Sequence, residues 1–283
     1  MVITTGLCWA RSLDFKAQPP SETSVRVGLF VTCLVDAMRP SIGLATLELL
    51  ESAGCEVCVP SAQTCCGQPA WNSGDRSITR ALAEKWVTEF EQFDAVVAPS
   101  GSCMGMVKAH YLQVFEDDAQ WRLRAERLAA KSYELSDFLV NVLHLTEPVA
   151  LAKLNPRHDL ATITYHDSCS GLRELGVYEQ PRALIQACAS AELREMRDSK
   201  QCCGFGGTFA VKYGEVSSAI CDDKCQQVCD TGAQAVVLGD LGCMLNIQGR
   251  LSRRGEAVEV LHLAEWLTGR KPAELEPGNE NHR

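Results

Sequence analysis

Cys65-Cys66-Gly67 and its repeat, Cys202-Cys203-Gly204, are the stretches of this 283-residue chain on which the fold turns. Each stands at the centre of a similar cysteine array. In the first, 31 residues separate Cys33 from Cys65 and 36 separate Cys66 from Cys103. In the second, 32 residues separate Cys169 from Cys202 and 39 separate Cys203 from Cys243. Adjacent cysteines followed by glycine put two thiolates side by side on a tight turn, where a residue without Cβ lets the backbone approach a bulky group. Two arrays of the same order define two related halves, each a metal-cluster site.

Outward from the triplets, apolar runs and helical periodicities alternate. Val25 to Thr32 is a buried-strand run ending at Cys33, and Ser41 to Ala53 has helical spacing that stops at Gly54. Cys55 to Val59 reads as the strand that delivers Cys65-Cys66. A helix from Ser77 to Phe90 follows, and then a strand from Asp94 to Ala98 that delivers Cys103. The second half runs the same way: strand Ala161 to His166 into Cys169, helix Pro181 to Ala189, a strand near Leu193 to Met196 into Cys202-Cys203, helix Glu215 to Val228, strand Ala235 to Leu238 into Cys243. A last strand, Val258 to Leu261, precedes a short helix.

This alternation predicts an α/β fold of two pseudo-symmetric half-domains with parallel sheets flanked by helices. The expected organisation is a flexible N-terminal extension (1–24), a first half-domain (25–111), a helical connector (112–160), a second half-domain (161–268) and a C-terminal tail (269–283). The connector carries charged helical sequence from Asp118 to Ser132 and an apolar helix from Asp137 to His144, with no visible chemistry. In parallel sheets ligands bind beyond the carboxyl ends of the strands. All eight repeated cysteines fall just after predicted strands, so four thiols of each half emerge on one sheet edge.

Composition narrows the function classes. Hydrophobic residues make up 46% of the chain and charged residues 22%, and no apolar run approaches the ~20 residues of a membrane span. A net charge of -9 argues against nucleic acid or an anionic membrane as the main partner. Met1 to Thr23 lacks the continuous apolar core of a secretory signal. Fifteen cysteines, an odd number, in a long chain without an export signal point to a reducing cytoplasm and metal-bound thiolates, not a disulfide scaffold. Zinc remains the inorganic rival, although its four thiolates usually come from two close Cys-x-x-Cys knuckles and here they come from three separated turns.

Other residues are read more plainly. Cys55 and Cys58 form a Cys-x-x-Cys, but three-apart residues in a strand face opposite ways, which predicts packing. Cys221, Cys225 and Cys229 recur every four residues on one helix, expected as a small-residue core stripe, the alternative being a ladder of ligands. Cys188 and Cys8 are expected as free thiols. His166 and His110 lie near cluster turns and are expected as satisfied structural histidines, the alternative being cluster tuning or proton transfer. Arg173 and Lys212 offer either solvated surface or charge compensation. Gly204-Phe-Gly-Gly207 belongs to the cluster turn, and no phosphate-binding glycine loop follows a first strand, so no flavin or nicotinamide site is expected.

The motifs Phe30-Val-Thr-Cys33, Thr64-Cys-Cys-Gly-Gln-Pro69 with Asn72 and Gly74, Pro99-Ser-Gly-Ser-Cys103, Tyr165-His-Asp-Ser-Cys169, Cys202-Cys-Gly-Phe-Gly-Gly-Thr-Phe209 and Gly242-Cys-Met-Leu-Asn-Ile247 carry a family resemblance. The halves resemble the cysteine-rich domain found in heterodisulfide reductase and in glycolate oxidase iron-sulfur subunits. From Val25 to Thr268 the chain more closely resembles the lactate utilisation protein A family. The resemblance implies a cytoplasmic iron-sulfur oxidoreductase subunit in a multi-protein system that oxidises L-lactate to pyruvate. It would work with further iron-sulfur and lactate utilisation B- and C-like proteins and meet the 2-hydroxy acid only indirectly. It further implies two 4Fe-4S clusters, one on Cys33, Cys65, Cys66 and Cys103, the other on Cys169, Cys202, Cys203 and Cys243. The heterodisulfide reductase pattern ends in Cys-x-x-Cys, whereas Ser100 and Asp240 stand here in place of the first cysteine of that pair. Four thiolates suit a cubane; a noncubane core, and the disulfide-reductase chemistry associated with it, would need another donor.

Overall fold

The computed structural model describes residues 24–146 and 154–271; the N-terminal extension with Cys8, most of the C-terminal tail and the end of the connector lie outside the described residues. Eight parallel strands form two sheets. They are β1 (Arg26–Leu29), β2 (Glu56–Cys58), β3 (Ala95–Ala98), β4 (Ser132–Glu134), β5 (Thr162–His166), β6 (Glu192–Leu193), β7 (Ala235–Leu238) and β8 (Glu259–His262). The sheet orders are β2-β1-β3-β4 and β6-β5-β7-β8, so the second half repeats the first strand for strand.

The central strands show why the sheets are parallel and covered on both faces. β3 reads Ala-Val-Val-Ala and β7 Ala-Val-Val-Leu, and every residue of both is buried. Their pleat sends alternate residues to two cores. Ala95, Val97, Ala235 and Val237 join one central core with Val27, Leu29, Ile163 and Tyr165. Val96 and Ala98 face an outer core of helices Arg76–Phe90 and Ala119–Ala130, while Val236 and Leu238 face one of helices Gly214–Asp230 and Leu241–Arg254.

The central core is where the halves join. Helix Pro40–Ser52 of the first half packs on helix Leu263–Thr268 of the second, and helix Glu179–Cys188 packs on the turns from Leu135 to Val142. A buried ion pair fixes this seam. Glu265, with no exposed surface, accepts hydrogen bonds from Arg39 Nε and Nη2 (both 2.8 Å), from Ser41 Oγ (2.7 Å) and from His262 N (3.1 Å).

β4 is the strand not foreseen from the sequence. Its Ser-Tyr-Glu composition lacks an apolar run, yet its register runs Val96↔Ser132, Val97↔Tyr133 and Ala98↔Glu134. The polar side chains are buried because they are bonded locally: Ser132 Oγ donates to Leu128 O at 2.8 Å, and Glu134 accepts from Ser136 N at 2.8 Å. The segment expected as a helical connector thus completes the first sheet, and the helix expected to reach Ser132 ends at Ala130.

Removing the carboxylate at the seam leaves a guanidinium that is nearly buried. Glu265→Ala is expected to destabilise the protein by about 3–5 kcal/mol, and the paired Arg39→Met, Glu265→Leu change by far less. Denaturant unfolding of the three proteins checks this.

Candidate metal centre

The carboxyl end of each sheet gathers its four cysteines. Cys33 opens helix Cys33–Met38 after β1, and Cys169 opens helix Cys169–Glu174 after β5. Cys103 and Cys243 lie in the first turns of the helices after β3 and β7, whose N-caps are Ser100 and Asp240. The Cys-Cys-Gly turns follow β2 and β6. Their glycines are required: φ is +89° at Gly67 and +85° at Gly204, and a Cβ on Gly204 would come within 2.5 Å of the Ser217 carbonyl.

Within each half the thiols form one continuous set. Cys33 contacts Cys65, Cys65 contacts Cys66, and Cys66 contacts Cys103. Cys169, Cys202, Cys203 and Cys243 repeat the chain of contacts. The turns are anchored from behind: Tyr111 Oη donates to Cys66 O and Asn246 Nδ2 to Cys203 O, both at 2.8 Å. Tyr111 was not singled out from the sequence and Asn246 only as part of a motif, because each acts through its contact with a backbone carbonyl.

Electrostatics sets the chemistry of these sites. In each turn the leading cysteine is a ready thiolate. The Cys65 thiol is held down to about 3 by hydrogen bonds from Cys33 and then Cys66, helped by the Gly67 amide at 3.4 Å from its sulfur. Cys202 falls to about 2 through Cys169 and Cys203, with the Gly204 amide at 3.3 Å. Their neighbours shift the opposite way. Contact with neighbouring sulfurs, then burial, pushes Cys33, Cys66, Cys169 and Cys203 up. Four such thiols ionise together only around a positive core, so the donor set fits a metal or a metal cluster.

The two sites adjoin. Asp240 Oδ2 accepts from Ser100 Oγ at 3.1 Å and from Ser102 N at 2.9 Å, while Oδ1 accepts from Gly242 N at 3.1 Å. The two positions where a fifth cysteine would stand are therefore joined to each other, hydroxyl to carboxylate. Helices Gly101–Gly105 and Cys169–Glu174 cross so closely that a Cβ on Gly101 would meet Gly171 Cα at 2.9 Å. His262 Nε2 donates to Pro99 O at 3.2 Å, its Nδ1 being occupied as acceptor for Ala264 N. Between the turns, Gly101, Glu134, Tyr165 and Asp167 line a cavity of about 10 Å³, room for one water.

His166 departs from expectation. It is fully buried, both ring nitrogens lack a hydrogen-bond partner, and a ring nitrogen and the Cys203 and Cys243 sulfurs all lie within 4.8 Å of one another. Burial, and then the charge of Lys224, lowers its pKa to about 3, so the imidazole is neutral. His110 lies on the π-helical turn Met106–His110 after Cys103, tilted over Trp71 at 5.4 Å, with Nε2 3.5 Å from Glu174.

Among the described residues the remaining cysteines pack in or against the cores. Cys55 packs in the central core and Cys58 against the outer one, on opposite faces as their spacing predicts. Cys221 and Cys225 donate to the carbonyls of Asn246 (3.5 Å) and Ile247 (3.9 Å). Burial pushes the Cys188 thiol up to about 11. Arg173 and Lys212 are exposed.

A chain of two repeated parallel sheets, each holding a Cys-Cys-Gly turn, is a tandem cysteine-rich-domain protein, and the profile of that domain matches residues 27–108 and 163–248. The chain is 45% identical over 249 residues to the lactate utilization protein A of Macrococcus caseolyticus, covering 88% of this chain and 98% of that one. Against the same protein of Bacillus velezensis it is 44% identical over 246 residues, covering 87% and 100%. It belongs to the lactate utilization protein A family. Among solved structures, a hypothetical protein from Helicobacter pylori shares the fold with a TM-score of 0.54 at 12% identity, over 89% of this chain and 51% of that one. Among the described residues no helix is long and apolar enough to cross a membrane.

Because Cys33, Cys66, Cys169 and Cys203 hold their protons in the metal-free protein, metal uptake must release protons, and affinity falls as pH falls. Chelator competition is expected to show weaker binding at about pH 6 than at about pH 8, with protons released on loading. Asp240→Ala removes a helix cap and the tie to Ser100 together; a stability loss of about 1–3 kcal/mol in thermal unfolding is expected, with metal loading impaired in both halves.

Proposed function

We propose that this chain is the iron-sulfur electron-transfer subunit of a cytoplasmic system that oxidises L-lactate to pyruvate, each half holding one 4Fe-4S cluster. Cys33, Cys65, Cys66 and Cys103 would hold the first and Cys169, Cys202, Cys203 and Cys243 the second. The observation that carries the reading is the duplicated four-thiol set at adjoining sheet edges, in a chain that belongs to the lactate utilization protein A family. A bound cluster supplies one-electron uptake and release in a site the protein holds rigid.

The residues of the chain do the rest. The Gly67 and Gly204 amides aim N–H groups at Cys65 and Cys202 and stabilise negative charge there. Tyr111 and Asn246 hold the turns in place. Cys33 is exposed while Cys66 and Cys203 are buried, which leaves the first centre a solvent-facing edge where a partner could exchange electrons. The close crossing at Gly101 and Gly171, one on the helix carrying Cys103 and the other on the helix carrying Cys169, supports electron exchange between the two centres within one subunit. Lactate gives up two electrons and two protons, and one-electron centres fit a reading in which a partner subunit handles the 2-hydroxy acid. A heterodisulfide-type reductase with a fifth thiolate is less well supported, since Ser100 and Asp240 are engaged with each other.

In the complex reconstituted with its partner subunits, L-lactate is expected to bleach the visible absorption of this chain. Cys203→Ser should abolish lactate-dependent electron flow and roughly halve the iron content, given four irons per cluster. Full lactate oxidation by that variant would rule out a working cluster in the second half.

A further inference from the structure

The two halves share a backbone but not the side chains around their centres. Strand register aligns them. β1 pairs with β3 at Leu29↔Val97, and Phe30 N donates to Val97 O at 2.9 Å; β5 pairs with β7 at Tyr165↔Val237 and His166↔Leu238. Since β3 and β7 are equivalent, Phe30 and His166 occupy the same position. The outer helices align through the turn glycines: a Cβ on Gly67 would meet Thr79 O and Leu82 Cβ, and one on Gly204 would meet Ser217 O and Ile220 Cβ. Seven residues past Thr79 and Ser217, Trp86 matches Lys224.

In the first half this pair is apolar, Phe30 edge-on to Trp86 with ring centroids 5.6 Å apart. In the second it is His166 and Lys224, both without exposed surface. Lys224 Nζ is satisfied by the carbonyls of Asp198 (2.7 Å) and Ser199 (3.4 Å). His166 is not satisfied at either nitrogen. A buried polar group left unpaired costs about 1–3 kcal/mol, and this one faces the Cys203 and Cys243 sulfurs at a spacing of the order expected for ligands of one metal, with bonds of about 2.0–2.3 Å each.

We propose that His166 ligates one iron of the second centre in place of one of the four thiolates assigned to it above, giving that centre a mixed sulfur and nitrogen donor set while the first is held by sulfur alone. The inference rests on the iron-sulfur reading above. Ligation gives the orphaned imidazole its partner. Histidine in place of thiolate raises the potential of an iron-sulfur centre. The second centre is therefore the stronger electron acceptor, and electrons entering at the first move toward the second.

The test uses the anaerobically reconstituted, dithionite-reduced full chain with ¹⁵N-labelled histidine, examined by pulsed EPR alongside iron and labile-sulfide assays. Wild type is expected to show a ¹⁵N coupling of the strength of direct ligation. His166→Cys should lose that coupling, retain iron through the substitute thiolate, and shift the higher of the two midpoint potentials downward in a redox titration. A full iron complement without a directly bound histidine nitrogen overturns this inference alone. Absence of iron and sulfide overturns the reading it rests on.

Discussion

The structure depends on one constraint: four thiols from three separate turns must meet at one point, and their negative charges must be tolerable there. Parallel sheets meet the first demand, because every strand of a half ends on the same edge and delivers its loop to the same place. The second is met in the backbone. Glycine at positive φ lets the Gly67 and Gly204 amides point at the leading thiolates, while contacts among the sulfurs hold the neighbouring thiols protonated until a positive core replaces the protons. The outer helices, the carbonyl anchors Tyr111 and Asn246, and the crossing at Gly101 and Gly171 all serve to hold that meeting point.

Duplication explains much of the rest. The second half's closing helix, Leu263–Thr268, packs on helix Pro40–Ser52 of the first, with Glu265 bonded to Arg39 across the seam. Glu134 and His262 sit at the same register position, at the ends of β4 and β8, and each caps the following helix. Burial pushes the Glu134 carboxyl up to about 7, whereas the imidazole of His262 is lowered and donates to the cluster turn at Pro99. The symmetry is one of backbone path, and its side chains have diverged where the two centres differ.

The spacing of the cysteines made most of this architecture legible. Strands announced by apolar runs, such as Ala95–Ala98 and Ala235–Leu238, lie where the sequence places them, and the opposite faces of Cys55 and Cys58 follow from strand parity. β4 was not legible, since Ser132-Tyr133-Glu134 has no apolar run and is a strand only through its pairing with β3, its polar side chains being satisfied by local hydrogen bonds. The tie between Ser100 and Asp240 was visible only as two departures from a pattern; that they meet depends on how the halves pack. His166 had a signal available: a polar residue at the outward parity of a largely buried strand, at the position equivalent to Phe30 in the other half. Its missing hydrogen-bond partners could be seen only in three dimensions.

The central claim is that each half holds an iron-sulfur cluster at its four-cysteine array. An anaerobic assay of iron, labile sulfide and zinc on the purified chain, with EPR before and after dithionite, tests it most directly. About eight irons and eight sulfides per chain, with a reduced-state signal of cubane type, is the predicted result. Stoichiometric zinc without labile sulfide would contradict it and make both Cys-Cys-Gly arrays structural.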